Sequence, residues 1–140
     1  MINKLLYNEA IQMLGQEYEY DNKFKRLAKE ENELYVIQND NDKKPVYFFL
    51  EKDISYDGKQ IQFPSLSNVT ISCLSEIVDY FKNNKSCDIY IRITICEENK
   101  ELIEFLNTIS QFKENVYKDV EERIEDKVNI IRLEQSVFYI

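Results

Sequence analysis

Ile89, Ile91, Ile93 and Ile95 alternate with Tyr90, Arg92 and Thr94. A period of two over seven residues is the period of an extended strand, because successive side chains leave opposite faces. A row of isoleucines on one face must be covered. This strand therefore calls for a sheet with helices packed on it. The neighbouring segments supply such helices. Leu74, Ile77, Val78 and Phe81 fall on one helical face, ended by Asn83, Asn84 and Lys85, with a cap expected among residues 65–68. After the strand, Glu97, Glu98 and Asn99 open a second helix, where acidic side chains suit the positive end. Leu102, Phe105, Leu106, Ile109 and Phe112 form its apolar stripe.

Upstream, Ile2, Leu6, Ala10, Met13 and Leu14 recur at helical spacing, and Gly15 is a plausible stop. A weaker helical stretch carries Tyr20, Phe24, Leu27 and Ala28 beside the basic Lys23, Lys25, Arg26 and Lys29. Leu34-Tyr35-Val36-Ile37 and Val46-Tyr47-Phe48-Phe49-Leu50 flank a polar turn, which predicts an antiparallel hairpin. The second run is apolar on both faces, as a central strand is. Residues 59–63 alternate and predict an edge-like third strand. In residues 113–127, Val116, Val120 and Ile124 lie four apart among many charges, which predicts an exposed amphipathic helix. Residues 128–133 read as a strand, and the apolar end at Val137, Phe138, Tyr139 and Ile140 should be docked or should contact a partner. The expectation is one α+β domain over residues 1–140, with a mixed sheet of about five strands and helices packed on it.

Composition removes several kinds of function. The 140 residues include no histidine, so no histidine-based triad and no imidazole metal site can form within the chain. Only two glycines are present, Gly15 and Gly58, and neither belongs to a phosphate-binding loop motif. The net charge of −8 argues against direct contact with nucleic-acid phosphates. No apolar run reaches the ~20 residues of a membrane helix. The N-terminus lacks a signal-peptide core, so a cytoplasmic, intracellular protein is expected. Cys73, Cys87 and Cys96 show no C-x-x-C spacing and read as buried or half-buried free thiols. No cofactor is expected.

One acidic group could carry chemistry. Glu51, Asp53 and Asp57 gather near Lys52 and Lys59, and a Mg²⁺ site needs only one or two carboxylates. The order of helix, three strands, helix and strand is similar to the core of restriction-endonuclease-like nucleases. That resemblance implies a carboxylate-x-lysine element, and here the third strand reads Lys59-Gln60-Ile61-Gln62 instead. Asp40-Asn41-Asp42 and residues 53–58 each begin a calcium-loop pattern without completing it. The element order, with Val46-Tyr47-Phe48-Phe49 and Val128-Asn129-Ile130, also resembles the jaw domain of the fifth RNA polymerase subunit. That likeness implies a transcription component.

Ten tyrosines are more than the core periodicity uses. Tyrosine offers large contact area with a polar tip, and is enriched at protein interfaces. With the acidity, this predicts a non-catalytic module that binds a protein with a basic surface. An inhibitor, an immunity protein or a phage or viral anti-defence protein would fit, its target a nucleic-acid-handling enzyme. The expected contact residues are Asp40, Asp42, Glu51, Asp53, Tyr56 and Asp57 in the first half. In the second half they are Tyr117, Glu121, Glu122 and Glu125. The alternatives are the jaw-like component and a metal-dependent nuclease-like enzyme.

Overall fold

The computed structural model describes residues 2–15, 25, 32–38, 45–53, 58–64 and 66–140. In chain order its elements are β1 (Ile2–Leu5), α1 (Tyr7–Leu14), β2 (Glu33–Ile37), β3 (Val46–Asp53), β4 (Gly58–Gln62), α2 (Ile71–Asn83), β5 (Asp88–Thr94), α3 (Lys100–Ile109), β6 (Gln111–Ile124) and β7 (Lys127–Tyr139). The strands make one mixed sheet in the order β1-β2-β3-β4-β5-β7-β6. The α+β class and the single sheet agree with expectation, but the strands number seven rather than about five. The two additional strands are β1 and β6, both expected as helix. The weaker helical stretch around Tyr20 to Ala28 lies, apart from residue 25, outside the described residues. The chain divides into two compact units, Met1–Ile89 and Tyr90–Ile140.

In the first unit, β1, β2, β3 and β4 pair antiparallel in sequence order. The N-terminal apolar residues split between a strand and a helix. Ile2 and Lys4 stand opposite Ile37 and Tyr35, and the chain turns into α1 at Leu6. The Glu9 carboxylate accepts from the Leu6 N–H at 3.0 Å, satisfying a donor that a helix start otherwise leaves unpaired. β2 and β3 are buried on both faces. Leu34, Val36, Tyr47 and Phe49 cluster with Ala10 of α1. On the other face Tyr35 stacks on Phe48 at 5.1 Å, and Phe81 of α2 meets Tyr35 edge-on at 5.5 Å.

The cap of α2 is Thr70, downstream of the expected residues 65–68; its Oγ1 accepts from the Cys73 N–H at 3.2 Å. Strand β4 is not at an edge, because it lies between β3 and β5. Gly58, at its start, comes so close to β5 that a Cβ there would sit 2.6 Å from the Asp88 carbonyl oxygen.

In the second unit, β5 pairs with β7, and β7 with β6, all antiparallel. Ile91, Ile93, Val137 and Phe138 are buried, with Leu102 and Leu106 of α3. Of the apolar C-terminal residues, Val137, Phe138 and Tyr139 end β7, with Val137 and Phe138 buried, which is the docked one of the two expected outcomes. Phe112 does not belong to the α3 stripe: it lies on β6, 46% exposed, with its ring 5.8 Å from Phe138.

Candidate functional site

The largest departure from expectation is residues 113–127. They form most of β6 rather than a helix. A spacing of four is shared by both geometries: it returns to one face of a helix after about a turn, and to one face of a strand after two repeats of two. Val116, Val120 and Ile124 therefore do share a face, but of a strand. Their β-branched side chains favour that outcome, as does the pairing of Val120 with Ile131 of β7.

The β6–β7 hairpin turns through Glu125 and Asp126, both with positive φ, at 49° and 62°. This is the left-handed geometry that a two-residue hairpin turn needs. From residue 117 through residue 132 every residue is exposed, on both faces of the ribbon. On one face lie Val116, Lys118, Val120, Glu122 and Ile124, opposite Gln135, Leu133, Ile131, Asn129 and Lys127. On the other lie Tyr117, Asp119, Glu121 and Arg123, opposite Glu134, Arg132, Ile130 and Val128.

Tyr117 is 66% and Ile130 70% exposed. Arg132 Nε donates to Asp119 Oδ1 at 3.0 Å, and its guanidinium carbon lies 5.9 Å from the Tyr117 ring centre. The hydrogen bond from Arg132 to the Asp119 carboxylate raises the guanidinium pKa further. Nearer the core, Ser136 Oγ donates to Asn115 Oδ1 at 3.0 Å, and the Lys113 ammonium sits 4.6 Å over the Tyr139 ring. The outer half of the ribbon, residues 119–132, carries Asp119, Glu121, Glu122, Glu125 and Asp126 against Arg123, Lys127 and Arg132.

Of the residues expected to make contact, Tyr117 and Glu121 lie on one face of the hairpin, Glu122 on the other and Glu125 in its turn, whereas a helix was expected. Of the other expected contact residues, Glu51 is half-buried on β3 opposite Gln60. Asp53 ends β3 opposite Gly58, and its side chain is outside the described residues. Asp40, Asp42, Tyr56 and Asp57 also lie outside them. Among the described residues no group of three or more carboxylate or thiol side chains is placed to hold a metal.

A charged cluster missed by sequence reasoning lies in the first unit. Glu33 of β2 accepts from Lys4 of β1 at 2.7 Å and from Lys59 of β4 at 3.2 Å. Burial would raise the Glu33 carboxyl pKa, but the two ammonium groups outweigh it and hold the value below the ordinary one. Tyr35, one side-chain repeat along the same strand face, has its phenol pKa raised by burial and then by the charge of Glu33. Lys52 stands directly opposite Lys59. Only the strand register reveals this group, since its members are far apart in sequence.

An open concavity in the second unit is lined by Ile95, Cys96, Glu97, Lys100, Ile103 and Glu104. All three cysteines are free thiols; Cys73 is buried and Cys87 half-buried as expected, but Cys96 is exposed, because it lies past the end of β5 at the turn into α3. No described helix is long and apolar enough to cross a membrane.

No protein-family model matches the chain, and no curated protein matches it. A solved structure does share its fold. It is a protein from Desulfovibrio desulfuricans, assigned as an acetyltransferase of the GNAT family. The match has a TM-score of 0.54 at 8% sequence identity, over 100% of this chain and 97% of that one. At that identity the likeness establishes the arrangement of strands and helices and nothing of the chemistry.

Proposed function

We propose that this chain is a non-catalytic protein-binding module whose contact surface is the β6–β7 hairpin. The exposure of residues 117–132 on both faces carries this reading. A solvated ribbon of that length gains nothing from Tyr117, Val120, Ile124, Val128, Ile130 and Ile131 unless a partner covers them. The carboxylates of its outer half favour a partner with a basic surface, because opposite charge speeds encounter and fixes orientation. An inhibitor, immunity or anti-defence role against a nucleic-acid-handling enzyme suits such a surface.

The test is a comparative pull-down from the native host, using the wild type and a variant with Glu121→Lys, Glu122→Lys and Glu125→Lys. The expected result is a basic protein recovered by the wild type and lost by the variant. Equal recovery by both, or recovery of no basic protein, contradicts the proposal.

A second reading, acetyl transfer, is favoured by the full-length fold likeness. Against it stands the segment from β4 to α2. Residues 63–70 contain no glycine, and the start of α2 is capped by its own Thr70. A phosphate-bearing donor such as acetyl-coenzyme A is commonly held by open backbone N–H groups at such a place. Saturable thermal stabilisation by acetyl-coenzyme A would support acetyl transfer and count against the non-catalytic reading.

A further inference from the structure

We propose that two copies of this chain associate through antiparallel pairing of their β6 strands about Val120. β6 is the terminal strand of the sheet and is 14 residues long, so among the described residues one side of its backbone has no strand to pair with. Exposed edges of that length are ordinarily shortened, bulged or blocked by charge. The irregularity in β6 lies near its inner end, between Phe112 and Glu114, and leaves residues 116–124 regular. Charges are present along that stretch, and their order is informative.

A two-fold axis perpendicular to the sheet keeps each face on its own side. It therefore pairs residues of the same face, placed symmetrically about one centre. With Val120 at the centre, Val116 meets Ile124 and Lys118 meets Glu122, each twice. One face of the strand is thus its own complement: apolar, basic, apolar, acidic, apolar. Neither Lys118 nor Glu122 faces an opposite charge across its own hairpin, where their neighbours are Leu133 and Asn129. Among the described residues neither makes an ion pair, and a second copy would match both.

On the other face Tyr117 meets Arg123, a cation-on-ring pairing. Asp119 meets Glu121 there, an unfavourable approach. Arg132, already 3.0 Å from Asp119, sets a positive charge beside each such pair. Moving the centre by one side-chain repeat is worse. It puts Lys118 opposite itself and Glu114 opposite Glu122, or Glu122 opposite itself. The paired stretch would run about 30 Å along the edge. Both faces of each hairpin would stay open, so association leaves the proposed partner surface available.

The experiment is light scattering coupled to size exclusion over a concentration series, on the wild type, K118E, and the double variant K118E/E122K. The expected mass for the wild type is twice the 16.8 kDa chain, with K118E monomeric and the charge-swapped double variant dimeric again. Circular dichroism on each sample separates loss of pairing from loss of fold, and Val120→Lys, which opposes two ammonium groups at the axis, serves if K118E does not fold. A wild type that stays at the mass of one chain at its highest soluble concentration overturns the proposal. So does a K118E that remains dimeric, or a double variant that is not restored. None of these masses depends on capture of a basic partner, so the two proposals fail separately.

Discussion

Replacing Gly58 by alanine puts a methyl group where the structure has no room. The new Cβ would lie 2.6 Å from the Asp88 carbonyl oxygen, and 3.3 Å from that residue's carbonyl carbon and Cβ. The nearest obstacle is backbone, so no rotamer change relieves it. β4 and the start of β5 must part by several tenths of an ångström. Overpacking of this kind costs about 1–3 kcal/mol. Alanine restricts the unfolded chain more than glycine and returns about 0.4–1 kcal/mol. The net expectation is a loss of about 1–2 kcal/mol, or about 3–8 °C in Tm for a chain of this size. Urea unfolding followed by far-UV circular dichroism reads it as a lower midpoint with an unchanged slope. A G58A protein as stable as the wild type, or more stable, would refute the close approach of β4 to Asp88.

Phe81→Ala should cost about 3–5 kcal/mol, because its buried ring contacts Tyr35 and Phe48; denaturant unfolding checks it, and a loss below about 1 kcal/mol contradicts the packing. Asp126→Gly relieves a left-handed backbone and should raise stability by up to about 1 kcal/mol, whereas Asp126→Val should lower it, both read by urea unfolding. Glu33 has a lowered pKa in the fold, so its contribution is present above the ordinary carboxylate pKa and fades as pH falls through the lower folded value. Lys4→Met with Lys59→Met should flatten stability against pH in that acid window, as read by urea midpoints across a pH series. Tyr35 has a raised pKa, so its contribution holds below the ordinary phenol value of about 10 and is lost at higher pH. Tyr35→Phe should therefore reduce the alkaline loss of stability.

The parts of the fold legible in the sequence are those where one period admits one geometry. The isoleucine alternation of β5 and the helical face of α2 came through, as did the pairing of β2 with β3. β6 did not, because Val116, Val120 and Ile124 fit a helix and a strand equally by spacing. Only pairing with β7, a non-local fact, decides between them. β1 was absorbed into a helix for a related reason: four residues are too few to show a period, and their partner, β2, is some thirty residues away. β4 looked like an edge because its polar residues alternate, yet hydrogen bonding to two neighbours is independent of side-chain polarity. Glu121, Glu122 and Glu125 were singled out by charge density and Tyr117 as an aromatic anchor, two readings that do not depend on secondary structure. The triad of Glu33, Lys4 and Lys59 was invisible, since it depends on strand register.

Hydrogen exchange of the purified chain, alone and with the basic protein it captures, tests the contact surface most directly. The account predicts new protection on partner addition concentrated in residues 116–131, with amides of the first unit little changed. Protection elsewhere, with the β6–β7 hairpin exchanging as in the free protein, would contradict it.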